Sequence, residues 1–390
     1  MNKKIALKML ILMVLVIAAG AAAACARTDG GFVSPNEASE LIPDLTTEIK
    51  EENRADFDFT ENAMDYLEFI GTKLPVRDIT DKGSDHEAAR EWIISELKKA
   101  GYSDDQIEQQ KFVGEGSKVT NIILTVEGED TSHQIIAGAH YDGDGVGDNG
   151  SGTALLLANA VGLAGVKPHY TVKYIFFDAE EIGCVGSSYY SKHMSDEEAA
   201  GTIYMINLDS LAFGDYCNIY GGDQSLSEKG VPGLTDGYDI AADITEQLGF
   251  EVMRTSDLDG YFAEHGTGPE IEEGTLYTNP WTDENPSPSN YSVPSPATLP
   301  ASDHIGFMYR GIEYIYFEAT NWFAEGENDD VEATSYTGYI ETYDYSLGEH
   351  GMFMNTEYDT WENLNKYFPG RAEKHFRIYS PLLSAMILVK

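Results

Sequence analysis

The sequence predicts an α/β fold with a single doubly wound, mostly parallel mixed sheet and helices on both faces. Two observations predict it. Apolar runs with the character of strands alternate with segments in which apolar residues recur at helical spacing. The strand-like runs are apolar throughout, as in central strands that are covered on both faces.

The predicted elements follow one another in a regular order. Two helices come first, over 61–74 and 86–100, and Gly101 is placed to end the second. Strands and further helices then alternate until a last helix closes the chain. The strands are predicted over 119–126, 134–139, 172–177 and 203–208, and the later helices over 152–163, 187–193, 238–248 and 371–388.

The N-terminal segment has the pattern of an export signal. Lysines among the first eight residues precede an apolar run that ends at Ala24, and Cys25 follows directly. We therefore expect a signal peptide over 1–24, followed by a lipid anchor on Cys25 or, alternatively, by simple cleavage and release. A polar tether is expected over 25–55, and a single folded domain over 56–390.

Composition limits the classes of partner. The 390-residue chain has a formal net charge of -41, which repels nucleic acid and anionic lipid surfaces. Besides Cys25, the chain contains only Cys184 and Cys217, so it is not a disulfide scaffold. A bridge between these two cysteines stays open, although single buried cysteines are the preferred interpretation.

A long segment over 259–300 is rich in Gly, Pro, Ser, Asn and aromatic residues and shows little periodicity. A loop of this length inside a compact domain is usually either functional or disordered. Because it directly precedes the string SDHIGF, we expect a lid or specificity loop rather than a decorative insertion.

Acids and a histidine gather where the predicted strands end. His140, Asp148, Glu180, Glu181 and Asp209 lie in the strings GAHYDGDGVGDNGSG, IFFDAEEIGCVGS and INLDS. Open α/β sheets bind their ligands at the carboxyl ends of the strands. Buried acids without a cation would be costly, and histidine nitrogens and carboxylate oxygens are zinc ligands. The strings therefore predict a metal site, in which Asp148 is placed to bridge two ions.

The predicted roles differ from residue to residue. His140 and Asp209 are assigned to one metal ion, and Asp142 is expected to orient the His140 ring from outside the ligand set. Glu180 and Glu181 are adjacent, so their side chains point in different directions and can do different work. Glu181 is assigned to metal binding, and Glu180 to proton transfer as general base and then general acid.

The same strings resemble the zinc aminopeptidase family. That family includes bacterial leucyl aminopeptidases and, more distantly, glutamate carboxypeptidase, the transferrin receptor and glutaminyl cyclases. Its pattern runs His-x-Asp, Gly-x-x-Asp-Asn-x-Ser-Gly, Glu-Glu-x-Gly and Asn-Leu-Asp, and SDHIGF with Gly311 and Ile312 matches a later part of it. The resemblance covers roughly residues 57–390 and implies a zinc exopeptidase fold with one or two zinc ions. It assigns the metal to His140, Asp148, Glu181 and Asp209, and the general base to Glu180.

One position departs from the family pattern. The fifth ligand of the family is the histidine of a His-Thr-x-x-Asp-Thr string, and here the string NTEYDT places Asn355 at that position. An amide oxygen is a weaker ligand than imidazole for zinc-like ions. The second metal would then bind loosely, be a different ion, or take its missing donor from His350 or His304.

The resemblance implies an exported metallo-aminopeptidase that uses metal-activated water to remove N-terminal residues from peptides. Arg254 and Arg310 are the only arginines between Asp142 and Leu364, so a clamp for a substrate carboxylate has few candidates. Acidic surroundings suit a free α-amine better. Two alternatives stay open, a single-zinc enzyme like the glutaminyl cyclases and a catalytically degenerate binding module.

Overall fold

The computed structural model describes residues 41–42, 44–214, 217–221, 236–250, 302–319, 353–354 and 356–390. The predicted signal peptide, Cys25 and the predicted lid over 259–300 lie outside the described residues. Within them, no helix combines the length and the apolar character needed to cross a membrane.

One mixed sheet of seven strands forms the centre of the described chain. In chain order its strands are β1 (Ile107–Gly114), β2 (Ser117–Val126), β3 (Asp130–His140), β4 (Tyr170–Phe177), β5 (Thr202–Leu208), β6 (Asn218–Tyr220) and β7 (Glu313–Glu318). Their order across the sheet is β1-β2-β4-β3-β5-β7-β6. The neighbours β4, β3, β5 and β7 run parallel, and β1, β2 and β6 are antiparallel to their neighbours. The predicted mixed sheet with a parallel centre is confirmed.

Helices connect the parallel strands and close the chain. In chain order they are α1 (Thr60–Lys73), α2 (His86–Lys99), α3 (Gly150–Gly162), α4 (Val185–His193), α5 (Asp196–Ala200), α6 (Asp236–Gln247), α7 (Ile305–Met308), α8 (Trp361–Tyr367) and α9 (Arg371–Ile387). A 3-10 turn over Arg54–Phe57 precedes α1.

Alternate residues of the strands separate into two apolar cores, one on each face of the sheet. On one face Ile122 and Leu124 belong to a core with α1, α2, α3 and α9. On the other face Ile123 and Phe177 pack with residues of α4 and α7. Because successive side chains of a strand point to opposite faces, this division confirms that helices cover the sheet on both sides.

The predicted tether over 25–55 includes residues that belong to the folded domain. Ile42, Leu45 and Ile49 are buried in the larger core. The backbone of Thr46 exchanges hydrogen bonds with that of Lys390, so this segment pairs antiparallel with the end of the chain. The apolar residues are few and stand among acids, which made the segment look like a solvated linker, but their spacing allows all three to face the core.

Candidate metal centre

The predicted acids and histidine come together at the carboxyl ends of three neighbouring parallel strands. His140 is the last residue of β3, Asp209 follows the end of β5, and Glu180 and Glu181 follow β4. Ala179, between β4 and the glutamates, has a positive φ of 64°, which turns the chain sharply as it leaves the strand. Parallel strands thus bring residues 69 positions apart, from 140 to 209, to one edge of the sheet.

His140 lies at the middle of this cluster. Its Nε2 is 3.2 Å from Asp148 Oδ1, 3.6 Å from Asp209 Oδ1 and 4.0 Å from Glu180 Oε2. Its Nδ1 is 3.5 Å from Asp142 Oδ1. The structure therefore brings five of the residues singled out in the sequence to one buried place.

A cation fits between these side chains. His140, Asp148 and Asp209 are buried and offer ligand atoms that all lie within 4.8 Å of one another. Neither ring nitrogen of His140, nor Oδ1 of Asp148, makes a hydrogen bond within the described part of the chain. Buried polar atoms are normally satisfied, and one histidine nitrogen with carboxylate oxygens is a donor set that zinc accepts.

The charges of the cluster also favour a bound cation. Burial raises the pKa of both Glu180 and Glu181 well above the usual range, because charged carboxylates have left water and face other acids. Burial alone would lower the pKa of His140, but Asp209, Asp142 and Asp148 outweigh it and raise that pKa well above its ordinary value. Without a cation, protons must therefore take up part of the negative charge.

Asp142 is placed to order the surrounding backbone as well as the ring. Its side chain is fully buried. In addition to its position beside His140 Nδ1, it accepts hydrogen bonds from the backbone N–H of Glu180 at 3.0 Å and of Glu181 at 3.3 Å. One carboxylate thus ties the turn after β4 to the end of β3.

The two glutamates diverge as their adjacency predicts. Glu180 lies near His140, and its Oε1 accepts a hydrogen bond from the Cys184 thiol at 3.3 Å. The Glu181 carboxylate lies against Gly143, where an added Cβ would stand 2.6 Å from its Oε1. After burial, the charge with the largest effect on the pKa of Glu181 is Asp148, which raises it, whereas the pKa of Glu180 is lowered by His140 and raised by Asp303.

Two residues of the SDHIGF string join the centre without having been assigned to it from the sequence. Ser302 Oγ donates a hydrogen bond to Asp209 Oδ2 at 2.7 Å and accepts one from the Asn207 side chain. Asp303 is fully buried, and burial raises its pKa to about 7. The string was recognised by resemblance, but a serine and an acid before a short helix carry no local signal of a role.

The remaining predictions fall on different parts of the chain. Asn355 and His350 lie outside the described residues. His304, a predicted alternative donor, is buried, and its ring stacks with those of Tyr314 and Tyr316. Cys184 and Cys217 are both buried, and no disulfide joins them.

Part of the chain is similar in sequence to known proteins. Residues 121–255 match the model of peptidase family M28. The leupeptin-inactivating enzyme 1 of Streptomyces exfoliatus is 32% identical over 132 residues, which cover 32% of this chain and 30% of that protein. A probable lipoprotein aminopeptidase of Mycobacterium tuberculosis is 36% identical over 130 residues, which cover 31% of this chain and 26% of that protein. The chain thus spans less than a third of the length of these relatives.

Solved structures share the fold over most of the chain. A zinc-dependent exopeptidase from Parabacteroides distasonis superposes with a TM-score of 0.52 at 18% identity, over 85% of this chain and 98% of that one. The glutaminyl cyclase of Macrostomum lignano superposes with a TM-score of 0.55 at 14% identity, over 88% of this chain and 96% of that one. The chain thus matches the peptidase family M28 model over residues 121–255, and it shares the fold of these solved structures over most of its length.

Proposed function

We propose that the protein is a zinc-dependent aminopeptidase with Glu180 as the general base. The observation that carries this proposal is the group of His140, Asp148 and Asp209, whose buried ligand atoms face one another beside Glu180. Bound zinc supplies Lewis-acid activation of water and of a peptide carbonyl. The ligands in this proposal are His140, Asp148, Glu181 and Asp209, with Asn355 as a weak donor to the second ion.

Glu180 is suited to move the proton. A carboxylate beside the reacting water can take its proton during attack and return it to the leaving amine. Burial raises the pKa of Glu180 well above the usual range, so this carboxylate holds a proton more readily than an exposed one. General bases work best when their pKa lies near the working pH.

Charge favours an N-terminal over a C-terminal cut. The guanidinium of Arg310 is already bound to the carbonyl oxygens of Ser191 and Met194 and to Asp196. It is therefore engaged at the surface of α4 and α5 rather than placed as a clamp for a substrate carboxylate. The buried acids of the centre complement the positive α-amine of a peptide.

A glutaminyl cyclase activity is the second candidate. The fold is shared with glutaminyl cyclases, and such an enzyme would need only one zinc ion, which suits Asn355 in place of a histidine. Asp209 and the Asp-Asn-x-Ser-Gly turn favour hydrolysis, because the centre then has more ligands than one zinc requires.

The test combines metal content with product analysis. Zinc per chain and hydrolysis of aminoacyl-nitroanilides are measured on the wild type, Glu180→Gln and Asn355→His, with the exposed Glu197→Gln as a matched control. We expect Glu180→Gln to lose about 10²–10⁴-fold in kcat while it keeps its zinc, and Asn355→His to gain metal.

A peptide with N-terminal glutamine separates the candidates by mass. Loss of the whole residue indicates an aminopeptidase, and loss of ammonia alone indicates a cyclase. A wild type that holds less than one metal per chain and changes neither substrate would refute both enzymes and leave the binding module.

Export is a separate part of the proposal. One relative is named as a lipoprotein, and the first 25 residues have the order of a signal followed by cysteine. We propose a cell-surface protein anchored by lipid on Cys25. Labelled palmitate should enter the wild type and not Cys25→Ala, and a Cys25→Ala form that stays in the membrane fraction would argue against the anchor.

A further inference from the structure

The segment that carries Asp142 and Asp148 contains three glycines between these acids and would be poorly ordered by itself. It runs from the end of β3 to the start of α3, and of its residues 141–149 only Asp144 is exposed. Neither a helix nor a strand fixes it. Apart from a backbone bridge between Gly145 and Asn149, the contacts that hold it come from groups outside the segment.

Arg77 binds the first half of the segment. The Arg77 side chain is buried, and its Nε donates to the carbonyl of Tyr141 at 2.9 Å, while Nη2 donates to the carbonyl of Gly145 at 2.6 Å. Its backbone N–H donates to the carbonyl of Gly143 at 2.9 Å. Arg77 thus donates hydrogen bonds to three carbonyl oxygens that are spaced two residues apart along the segment.

Asp359 binds the second half of the segment as a hydrogen-bond acceptor, whereas Arg77 is a donor. Its buried Oδ1 accepts from the backbone N–H of Val146 at 2.9 Å and of Gly147 at 2.7 Å. Its Oδ2 accepts from the N–H of Asp148 at 3.0 Å. The glycines make this approach possible, since a Cβ on Gly145 would overlap Asp359 Oδ2 and one on Gly147 would lie 3.2 Å from it.

The contacts of Asp359 extend to Asp148, which is one of the proposed metal ligands. The last N–H that Asp359 accepts belongs to Asp148, whose Oδ1 lies 3.2 Å from His140 Nε2. Residues that hold a ligand from outside the ligand set commonly change metal affinity or activity by about 10–100-fold when they are replaced. Burial of a cation and an anion is costly unless both are hydrogen-bonded, and here the backbone of this buried segment supplies those bonds.

We propose that Arg77 and Asp359 are positioning residues that preset the backbone over 141–148, so that Asp148 meets His140 and Asp209 in the geometry that a metal ion needs. Arg77 acts through carbonyl oxygens and Asp359 through amide hydrogens. The inference rests on the proposed zinc site but not on any reaction performed there.

The first test measures zinc affinity rather than activity. Apoproteins of the wild type, Asp359→Asn and Asp144→Asn compete for zinc with a chromophoric chelator, and Leu97→Ala in α2 serves as a control for lost stability alone. Asp144→Asn makes the same chemical change in the same segment at an exposed position. We expect Asp359→Asn to bind zinc about 10–100-fold more weakly, and both controls to stay within about 2-fold of the wild type.

Equal zinc affinity in folded Asp359→Asn and wild type would overturn the proposal, even if the melting temperature fell. If Asp359→Asn does not fold, hydrogen exchange on the metal-free wild type decides. The amides of Val146, Gly147 and Asp148 should then be protected to a degree comparable with core strands. Exchange as fast as in the exposed turn at Gly83 would overturn it. Because neither readout uses a peptide, a wild type without peptidase activity would refute the proposed function and leave this inference standing.

Discussion

At His140, both ring nitrogens are buried without a hydrogen bond in the described part of the chain, although four acid side chains lie within 4.0 Å of them. An imidazole in this position needs a positive charge, which either a proton or a metal ion can supply. The neighbouring acids raise its pKa against the effect of burial, so a proton takes that place when no metal is bound. Proton and metal therefore compete for one site.

His375 in α9 is buried to the same extent and behaves in the opposite way. Its Nδ1 lies 2.8 Å from the carbonyl oxygen of Leu211, and the ring must donate there because a carbonyl only accepts. Burial lowers its pKa to about 3, with the cation of Arg371 acting in the same direction. This ring stays neutral and orders the chain that follows Asp209.

The lowered pKa of His375 predicts a loss of stability in acid. Below pH 6.5 the unfolded chain binds a proton that the folded ring accepts only near pH 3. Stability should thus fall as the pH drops from 6.5 to 3, by about 1.4 kcal/mol per pH unit from this residue. We expect urea unfolding of His375→Asn between pH 4 and 7 to show a free energy of unfolding that depends less steeply on pH than that of the wild type. The difference in slope should correspond to about one proton. The exposed His193→Asn should keep the wild-type slope, and an unchanged slope in His375→Asn would contradict the prediction.

At the scale of elements, sequence patterns predicted the four neighbouring strands β2, β4, β3 and β5 and missed the buried strand β7 as well as the edge strands β1 and β6. β3, β4 and β5 are apolar because burial on both sides requires it, and the predicted strands match them. β1 reads IEQQKFVG and, among the described strands, pairs only with β2; half of its residues are exposed and polar side chains are frequent, so the apolar signal is missing. β6 has three residues, too few for any periodicity.

The same reasoning explains which site residues the sequence revealed. The acids and His140 stand at ends of predicted strands, where topology alone brings them together. Arg77 and Asp359 reach the centre from outside the sheet, 64 residues before Tyr141 and 213 residues after Val146. No local pattern links such distant positions, and only the folded chain shows their contact.

Helix α3 begins under tight steric constraint at the metal centre. Asn149 caps it by accepting from the N–H of Gly152 at 2.8 Å and also donates to the carbonyl of Leu208 at 2.8 Å. A Cβ on Gly152 would overlap both that carbonyl oxygen and the Asn149 side chain. The first turn of α3 is therefore packed directly against the end of β5.

Gly152→Ala should accordingly destabilise the fold and weaken the site together. Overpacking of this kind typically costs about 1–3 kcal/mol, and the shift separates Asp148, before α3, from Asp209, after β5. Guanidinium unfolding and zinc content measure both effects. Gly83→Ala is the control, since the nearest atom to its added Cβ is Asp81 Oδ1 at 3.5 Å. A Gly152→Ala protein as stable and as rich in zinc as the wild type would show that α3 can move without cost.

For the whole molecule, the buried acids make stability depend on both metal and pH. Burial raises the pKa of Glu180 and Glu181 well above the usual range and that of Asp303 to about 7. A raised carboxyl pKa means that the folded metal-free protein keeps protons that the unfolded chain has already lost. Its stability should therefore fall as the pH rises from about 4 to 7.

Metal binding should reverse this dependence, because a cation neutralises the same carboxylates without a proton. We expect zinc at about 100 times its dissociation constant to add about 2.7 kcal/mol, which raises the melting temperature of a domain of this size by roughly 3–5 °C. The difference in melting temperature between zinc-loaded and chelator-treated protein should be larger at pH 8 than at pH 5.5, since protons compete with the metal at low pH. Calorimetry at both pH values measures it, and His140→Ala should show no such difference at either. A melting-temperature difference that is equal at both pH values, or larger at pH 5.5, would mean that the acids of the centre hold their protons independently of the metal.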